Sequence, residues 1–482
     1  VIHRRKARVS CCALLVILAG VWIAPAAASS EFPQPAALRT PIKFWQKIFG
    51  VYSKHQIVFH DPENLARVYS VLDFRDRAAA GDSDLVLDII EREAVAKERE
   101  RIRGVLLSLD ARQGNSGGLD DEERKVWDLF GNDKDSRRFA AAADPARIRT
   151  QRGLRERFSD GIRISRRYLA EMEEVFRREG LPTELTRLPL VESCFDIEAY
   201  SKVGAAGIWQ FMPSTGRNYM AIGGVVDERR DPLRATRGAA LHLKENYESL
   251  GSWPLAITAY NHGRAGIARA VRETGTSDIG TIVKRYRGPL FGFASRNFYA
   301  EFLAALAVER SYKDYFGDLQ FDAPFAGDEV QLADALTGHV AARCADVPPE
   351  ELAALNPAVD SAVFLGSGNI PRGYLLRVPP GTAAAFQQRL AQLAGDARVV
   401  TVTSSRRYAR APGSVARLPI RNRGNGQEKI AATAVRTHTV AKGQTLSHIA
   451  DRYRVPLTKL RSANRLRGNT VKAGQVLKIP TG

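Results

Sequence analysis

Residues 181–196 read Leu181-Pro182-Thr183-Glu184-Leu185-Thr186-Arg187-Leu188-Pro189-Leu190-Val191-Glu192-Ser193-Cys194-Phe195-Asp196. The spacing predicts a helix after Leu181-Pro182 on which Leu185, Leu188 and Glu192 fall at i, i+3 and i+7, so a carboxylate ends an otherwise apolar stripe. Such a placement is costly without a partner. Two readings are open. In one, Glu192 sits at a helix end and is satisfied by a backbone amide or by Arg187. In the other, apolar surroundings raise its pKa and keep it protonated near neutral pH, the state in which a carboxyl group can act as a general acid on a glycosidic bond.

Working outward, Leu154 to Arg178 places Phe158, Ile162, Ile164, Tyr168, Leu169, Met172 and Val175 at mostly helical spacing, with Gly180 as the expected C-cap. From Leu181 to Phe316 helical segments are broken by Gly, Pro and Asn, without the alternating β-branched runs of a sheet. Residues 151–318 are therefore expected to form one mainly α domain. Asp227-Glu228-Arg229-Arg230-Asp231-Pro232 looks like a carboxylate cluster, but Asp231 before Pro232 marks a helix start and is read as structural. Upstream, residues 29–150 read as a helical accessory region with charge-dense runs such as Glu91 to Arg103, and no chemistry is assigned to it.

Beyond Gly317 the chain repeats itself. Val347-Pro348 precedes Leu352 and Asn356 at the intervals by which Val455-Pro456 precedes Leu460 and Asn464. Each copy then closes on Gly, a short apolar strand and Pro, at Gly373 to Pro379 and Gly474 to Pro480. The second copy, 437–480, reads as a small α+β unit of βααβ order, with Leu446, Ile449, Ala450 and Tyr453 on one helix face. The first, 325–380, has a loop seven residues longer, and residues 381–436 between the copies are expected to be a basic linker.

Three strings carry a resemblance: Leu188-Pro189-Leu190-Val191-Glu192-Ser193, Gly204-Ala205-Ala206-Gly207-Ile208-Trp209-Gln210-Phe211-Met212-Pro213, and Ala259-Tyr260-Asn261-His262-Gly263. In this order they resemble the motifs of soluble lytic transglycosylases, the goose-lysozyme-like family, and are most similar to the membrane-bound lytic murein transglycosylase D type with its lysin-motif (LysM) modules. Gly443-Gln444-Thr445-Leu446 and Gly474-Gln475-Val476-Leu477-Lys478-Ile479-Pro480 resemble a LysM. The first copy would then be a degenerate LysM-like module. The resemblance implies a lysozyme-like α domain that cleaves the MurNAc-GlcNAc β-1,4 bond of peptidoglycan without water, leaving 1,6-anhydro ends. It implies Glu192 as the acid/base, Ser193 orienting it or the sugar, and Gln210, Tyr260 and Asn261 lining the glycan cleft. No cofactor and no metal are expected. Trp209 and Phe211 are expected to pack in the core. Where relatives have Asn-Tyr, this chain has Asn297-Phe298-Tyr299, and Tyr299 is left out of the site. A hydrolase would need a second carboxylate, for which Asp196 is the nearest candidate in sequence.

Residues 1–28 run from Arg4, Arg5, Lys6 and Arg8 through the apolar Cys11 to Ile23 to Ala26-Ala27-Ala28, the pattern of a secretory signal peptide. A periplasmic or cell-envelope location and no stable transmembrane anchor are the expectation. Cys11 and Cys12 open the apolar stretch instead of closing it, which disfavours lipid anchoring. Without residues 1–28 the formal charge falls from +18 to +14, because four basic and no acidic residues are removed. In an exported protein that surplus suits an anionic wall polymer or membrane surface better than nucleic acid, and the resemblance implies peptidoglycan glycan strands as the partner. Cys194 and Cys344 read as belonging to cores of different domains, so no disulfide is expected.

Overall fold

The computed structural model describes residues 31–131, 133–393, 436–440, 446, 449, 450, 457–464, 466 and 475–479. The signal-peptide reading and the linker reading beyond residue 393 lie outside the described residues. The chain divides into two compact units, residues 1–412 and 413–482.

The first unit holds three apolar cores. The largest gathers the helices between Arg155 and Arg310, as the helical periodicity predicts, around Phe158, Met172, Phe176, Leu188, Trp209, Leu243, Ile257 and Phe302. It also takes in Ile42, Phe44, Trp45, Ile48 and Phe49 of helix α1 (Arg39–Gly50), which packs against the helix Phe293–Arg310. The expected boundary at residue 150 is therefore not a packing boundary: α1 supplies one wall of the largest core. Gly50 permits this, because a Cβ there would come within 2.3 Å of the Tyr315 ring.

The region 29–150 is also less helical than its composition suggests. Strands β1 (Gln56–Asp61), β2 (Asn64–Asp73) and β3 (Arg149–Arg152) form an antiparallel sheet in the order β2-β1-β3. Gln-Ile-Val-Phe-His-Asp in β1 is buried on both faces, Val58 facing the main core and Ile57 and Phe59 a second core under the long helix Asp84–Ala111. A strand covered on both faces shows no polar alternation, which is why a helical reading passed over it.

The third core belongs to residues 325–393. Strands Asp328–Gln331 and Leu375–Val378 pair antiparallel around helices Gly338–Ala345 and Pro349–Leu355. The repeated asparagine has a mechanical purpose. Asn356 Nδ2 donates to the Leu352 and Arg377 carbonyls at 2.9 and 2.7 Å, and the Arg377 N–H donates to Asn356 Oδ1 at 2.8 Å. In the C-terminal unit Asn464 repeats this with Leu460 and Lys478 at 2.8, 2.7 and 2.6 Å, tying helix Leu457–Ala463 to strand Val476–Ile479. That strand pairs with Arg436–Thr439 over a core of Val440, Leu446, Ile449, Ala450, Leu460 and Leu477. The linker does not begin at 381: Ala383–Gln392 is an amphipathic helix whose Phe386 is fully buried in the 325–393 core. Cys194 and Cys344 are free thiols in separate cores.

The longer loop of the first copy reaches the main helical domain. Ala358, Val359 and Asp360 bond to the hairpin at residues 222–227 through Asp227 N–H to Ala358 O at 2.7 Å and Asp360 N–H to Val225 O at 2.9 Å. Beside this seam Asp231 caps helix Pro232–Leu250, as its place before Pro232 predicts, accepting from the Leu233 and Arg234 N–H groups at 3.0 Å each. The same fully buried carboxylate is gripped by Arg377 of the repeat strand. Burial works to raise its pKa, but Arg377 and Arg234 outweigh it and the net direction is down. Arg377→Leu leaves that charge short of a partner and is expected to destabilise the protein by about 3 kcal/mol. A urea midpoint unchanged from wild type would contradict it.

Candidate active site

Glu192 is the last residue of the short helix Leu188–Glu192, which continues the 3-10 turn Thr183–Arg187. Leu185, Leu188 and Leu190 anchor it in the core. Neither satisfying partner open to it in the sequence is present. Arg187 bonds Glu173 and stands 3.9 Å from Glu309. Among the described residues no hydrogen bond or ion pair reaches the Glu192 carboxylate. Burial alone pushes it up to about 8, yet the residue keeps a solvent-facing fringe. It is an acid held neutral at pH 7 and still open to solvent.

The chain reverses immediately afterwards. Cys194 and Phe195 both occupy the left-handed region, at φ 54° and 57°, a conformation worth about 1–3 kcal/mol of strain at each non-glycine residue. Packing holds it there. Phe195 is fully buried, its N–H and that of Ser193 both donate to the Pro189 carbonyl, and Gly161 admits the Cys194 carbonyl to where its own Cβ would be, 2.7 Å away.

Two hydroxyls bring the three strings together. Ser193 Oγ donates to the Ile208 carbonyl at 3.0 Å, and Tyr260 Oη donates to the next carbonyl, Trp209, at 2.9 Å. Successive carbonyls of the second string are thus satisfied by the first and third. Ser193 is buried, so its hydroxyl fixes the turn carrying Glu192 and does not face a sugar. Tyr260 is close enough that burial, then the Glu192 charge and Tyr219, push its phenol well above the usual range, and it remains a hydrogen-bond donor. Trp209 and Phe211 are core residues, Trp209 Nε1 donating to Thr236 Oγ1 at 2.9 Å. Gln210, at φ 48°, donates from Nε2 to the Gly207 and Ala199 carbonyls at 2.9 and 3.3 Å and is half-buried. Asn261 is exposed, and its Oδ1 accepts from Ser295 Oγ at 3.0 Å, which also meets His262 Nδ1 at 3.1 Å. Tyr299 points elsewhere, donating to the Pro33 carbonyl at 2.9 Å.

Two residues of the site escaped the sequence reading. Arg229, buried, holds the second string open by donating to the Phe211 and Gly204 carbonyls at 2.9 and 2.6 Å while paired with Asp227. Glu301 lies on helix Phe293–Arg310, which packs against Leu188–Glu192. Burial first and then the Glu192 charge push its carboxyl up to about 8, with Arg149 opposing. Between Tyr299 and Val308 it is the only charged residue, the same signal that marked Glu192. Asp196, by contrast, is half-exposed and lies 3.7 Å from Arg157.

This geometry, an unpartnered neutral carboxyl group at a turn locked to two other strings, coincides with a known domain. Residues 172–283 match the transglycosylase SLT domain family and residues 438–480 the LysM domain family. It is 30% identical over 310 residues to the membrane-bound lytic murein transglycosylase D of Escherichia coli strain K12 and to its namesake in E. coli O6:H1, the span covering 64% of this chain and 62% of theirs. The chain thus spans a little under two thirds of the length of these curated relatives. An inactive mutant of the lytic transglycosylase Slt from Pseudomonas aeruginosa aligns over 59% of this chain and 45% of its own at 17% identity, with a TM-score of 0.27.

Proposed function

We propose that the chain is a peptidoglycan lytic transglycosylase in which Glu192 is the sole acid/base. The observation that carries this is the neutral, partner-free Glu192 inside the matched SLT domain. Glu192 gives its proton to the oxygen joining MurNAc to GlcNAc. The carboxylate so formed takes the proton of the muramoyl 6-hydroxyl as that oxygen closes on C1. An intramolecular nucleophile has the advantage of high effective molarity and dispenses with an activated water. Gln210 and Asn261 are the groups placed to meet sugar hydroxyl and acetamido groups, whereas Ser193 and Tyr260 act on the frame. Muropeptides released by the purified protein are expected to end in 1,6-anhydro-MurNAc, lighter by one water than hydrolytic products in mass spectrometry. Predominantly reducing ends would instead favour a lysozyme-like hydrolase, a reading that Glu301 makes concrete by supplying a second carboxyl group.

Residues 325–393 are, on this reading, a LysM-type module fixed to the enzyme, supported by the shared asparagine clamp and strand pairing. The C-terminal LysM supplies avidity by engaging the same polymer at a second point. Truncation at Arg436 is expected to weaken retention on insoluble peptidoglycan at least about tenfold with little loss of turnover on short soluble fragments. Equal retention in a pull-down would remove that role. The signal-like residues 1–28 and a peptidoglycan substrate support a periplasmic or cell-envelope location, and no helix among the described residues is long and apolar enough to cross a membrane.

A further inference from the structure

Glu301 has no role in the reaction just described, yet its situation mirrors that of Glu192. It sits among Ala300, Phe302, Leu303 and Ala304, all buried, on a helix packed against the one that ends at Glu192. Among the described residues neither carboxylate has a hydrogen bond or an ion pair, and both keep a solvent-facing fringe. The Glu192 charge is felt at Glu301 on the helix packed against its own, and two acidic side chains so placed, with no cation bonded to either, are an arrangement that folding alone gives no reason to keep.

From this juxtaposition, which rests on the transglycosylase reading, we propose that Glu301 is a positioning residue that forms a coupled carboxyl pair with Glu192 and holds a proton available to it. Two interacting carboxyl groups lose their protons in two steps that belong to the pair. After the first proton leaves, the remaining one is shared. The ionised partner raises its neighbour's affinity for it, so part of the population still presents a protonated Glu192.

The surroundings leave few other influences. The elements packed on the Glu301 helix bring Arg39, Lys43 and Lys47 of α1, Glu184 and Arg187 of the turn, Tyr260 and His262, the helix Tyr312–Phe316 with Tyr312, Lys313, Asp314 and Tyr315, and Glu192. Of these only Glu192 acts on Glu301, joined by Arg149 of β3, whose guanidinium lies 4.2 Å from the Phe293 ring centre. Around Glu192, Arg157 is turned away to the Ser193 carbonyl at 3.2 Å, and Tyr260 is the facing hydroxyl. Arg149 opposes the pair's proton affinity from the N-terminal sheet, so β3 tunes a site built otherwise on helices.

The test compares the pH dependence of kcat/KM for the full chain and for Glu301→Gln, which keeps the shape and removes the ionisation. The alkaline limb is expected to move to lower pH by roughly one unit and to sharpen to a single ionisation. A limb left in place, or turnover abolished at every pH in a folded variant, overturns the proposal. Infrared titration of the protonated-carboxyl band gives a second readout that needs no activity. If the wild-type curve departs from the sum of the Glu192→Gln and Glu301→Gln curves less that of the double variant, the pair is coupled, and if it equals that difference, it is not. Product mass spectrometry on the wild type separately tests the underlying reaction, so reducing ends would sink the transglycosylase reading while the titration still reports on the pair.

Discussion

Glu192→Gln is expected to lower turnover on purified peptidoglycan by about 10³-fold, within the range attributed to positioned general acid–base groups. The fold should be undisturbed. The carboxyl group is neutral at pH 7 and has no bonding partner to lose, so an amide of the same shape costs no ion pair. Sedimentation with insoluble peptidoglycan should likewise be retained. The same shift fixes the pH dependence of the unaltered enzyme. A raised carboxyl pKa means that the acid persists through neutrality and is lost as pH rises through about 8, so activity should fall there and not near the usual carboxylate range. Near-wild-type turnover in a folded Glu192→Gln protein would refute the assignment.

The second large effect is expected at a residue without a side chain. A Cβ at Gly207 would stand 1.8 Å from the Arg229 carbonyl, in a backbone conformation of φ 71° that L side chains rarely adopt. Nothing there can give cheaply, because the opposing atom is backbone and Arg229 is buried and bonded to both ends of the loop. Gly207→Ala is therefore expected to cost about 4 kcal/mol or more. It should also misplace the Ile208 and Trp209 carbonyls to which Ser193 and Tyr260 are bonded. Urea denaturation and soluble yield measure the first effect. A midpoint equal to wild type would show that the loop relaxes freely.

Much of this architecture is legible in the sequence because it rests on local rules. The helices from 154 to 310 follow apolar periodicity, Asp231-Pro232 announces its cap, and the spacing of Asn356 and Asn464 reveals a repeat whose meaning is a clamp between helix and strand. What escaped depends on distant chain. The sheet β2-β1-β3 has a central strand buried on both sides, so its pattern imitates a helix core. The membership of α1 in the largest core is decided by the helix Phe293–Arg310, some 250 residues on. The site divides in the same way. Glu192 and its two companion strings could be found by reading, but not that Ser193 and Tyr260 would bond consecutive carbonyls instead of sugar. Nor could the second carboxyl group be found among residues adjacent to Glu192. Asp196 is near in sequence and turned to Arg157, while Glu301 is remote in sequence and lies on the helix packed against that of Glu192.

The grip of Arg377 on Asp231 sets the two repeat copies apart. The C-terminal copy has its own core and clamp, so the contacts described for it lie within its own unit. The inner copy is not so self-contained. Its strand holds the carboxylate that starts helix Pro232–Leu250, and its long loop completes the edge of the 222–227 hairpin. Substitutions at 231, 234 and 377 act on one another, and a recombination junction placed between residues 318 and 325 would separate Asp231 and Arg234 from the strand residues that partner them.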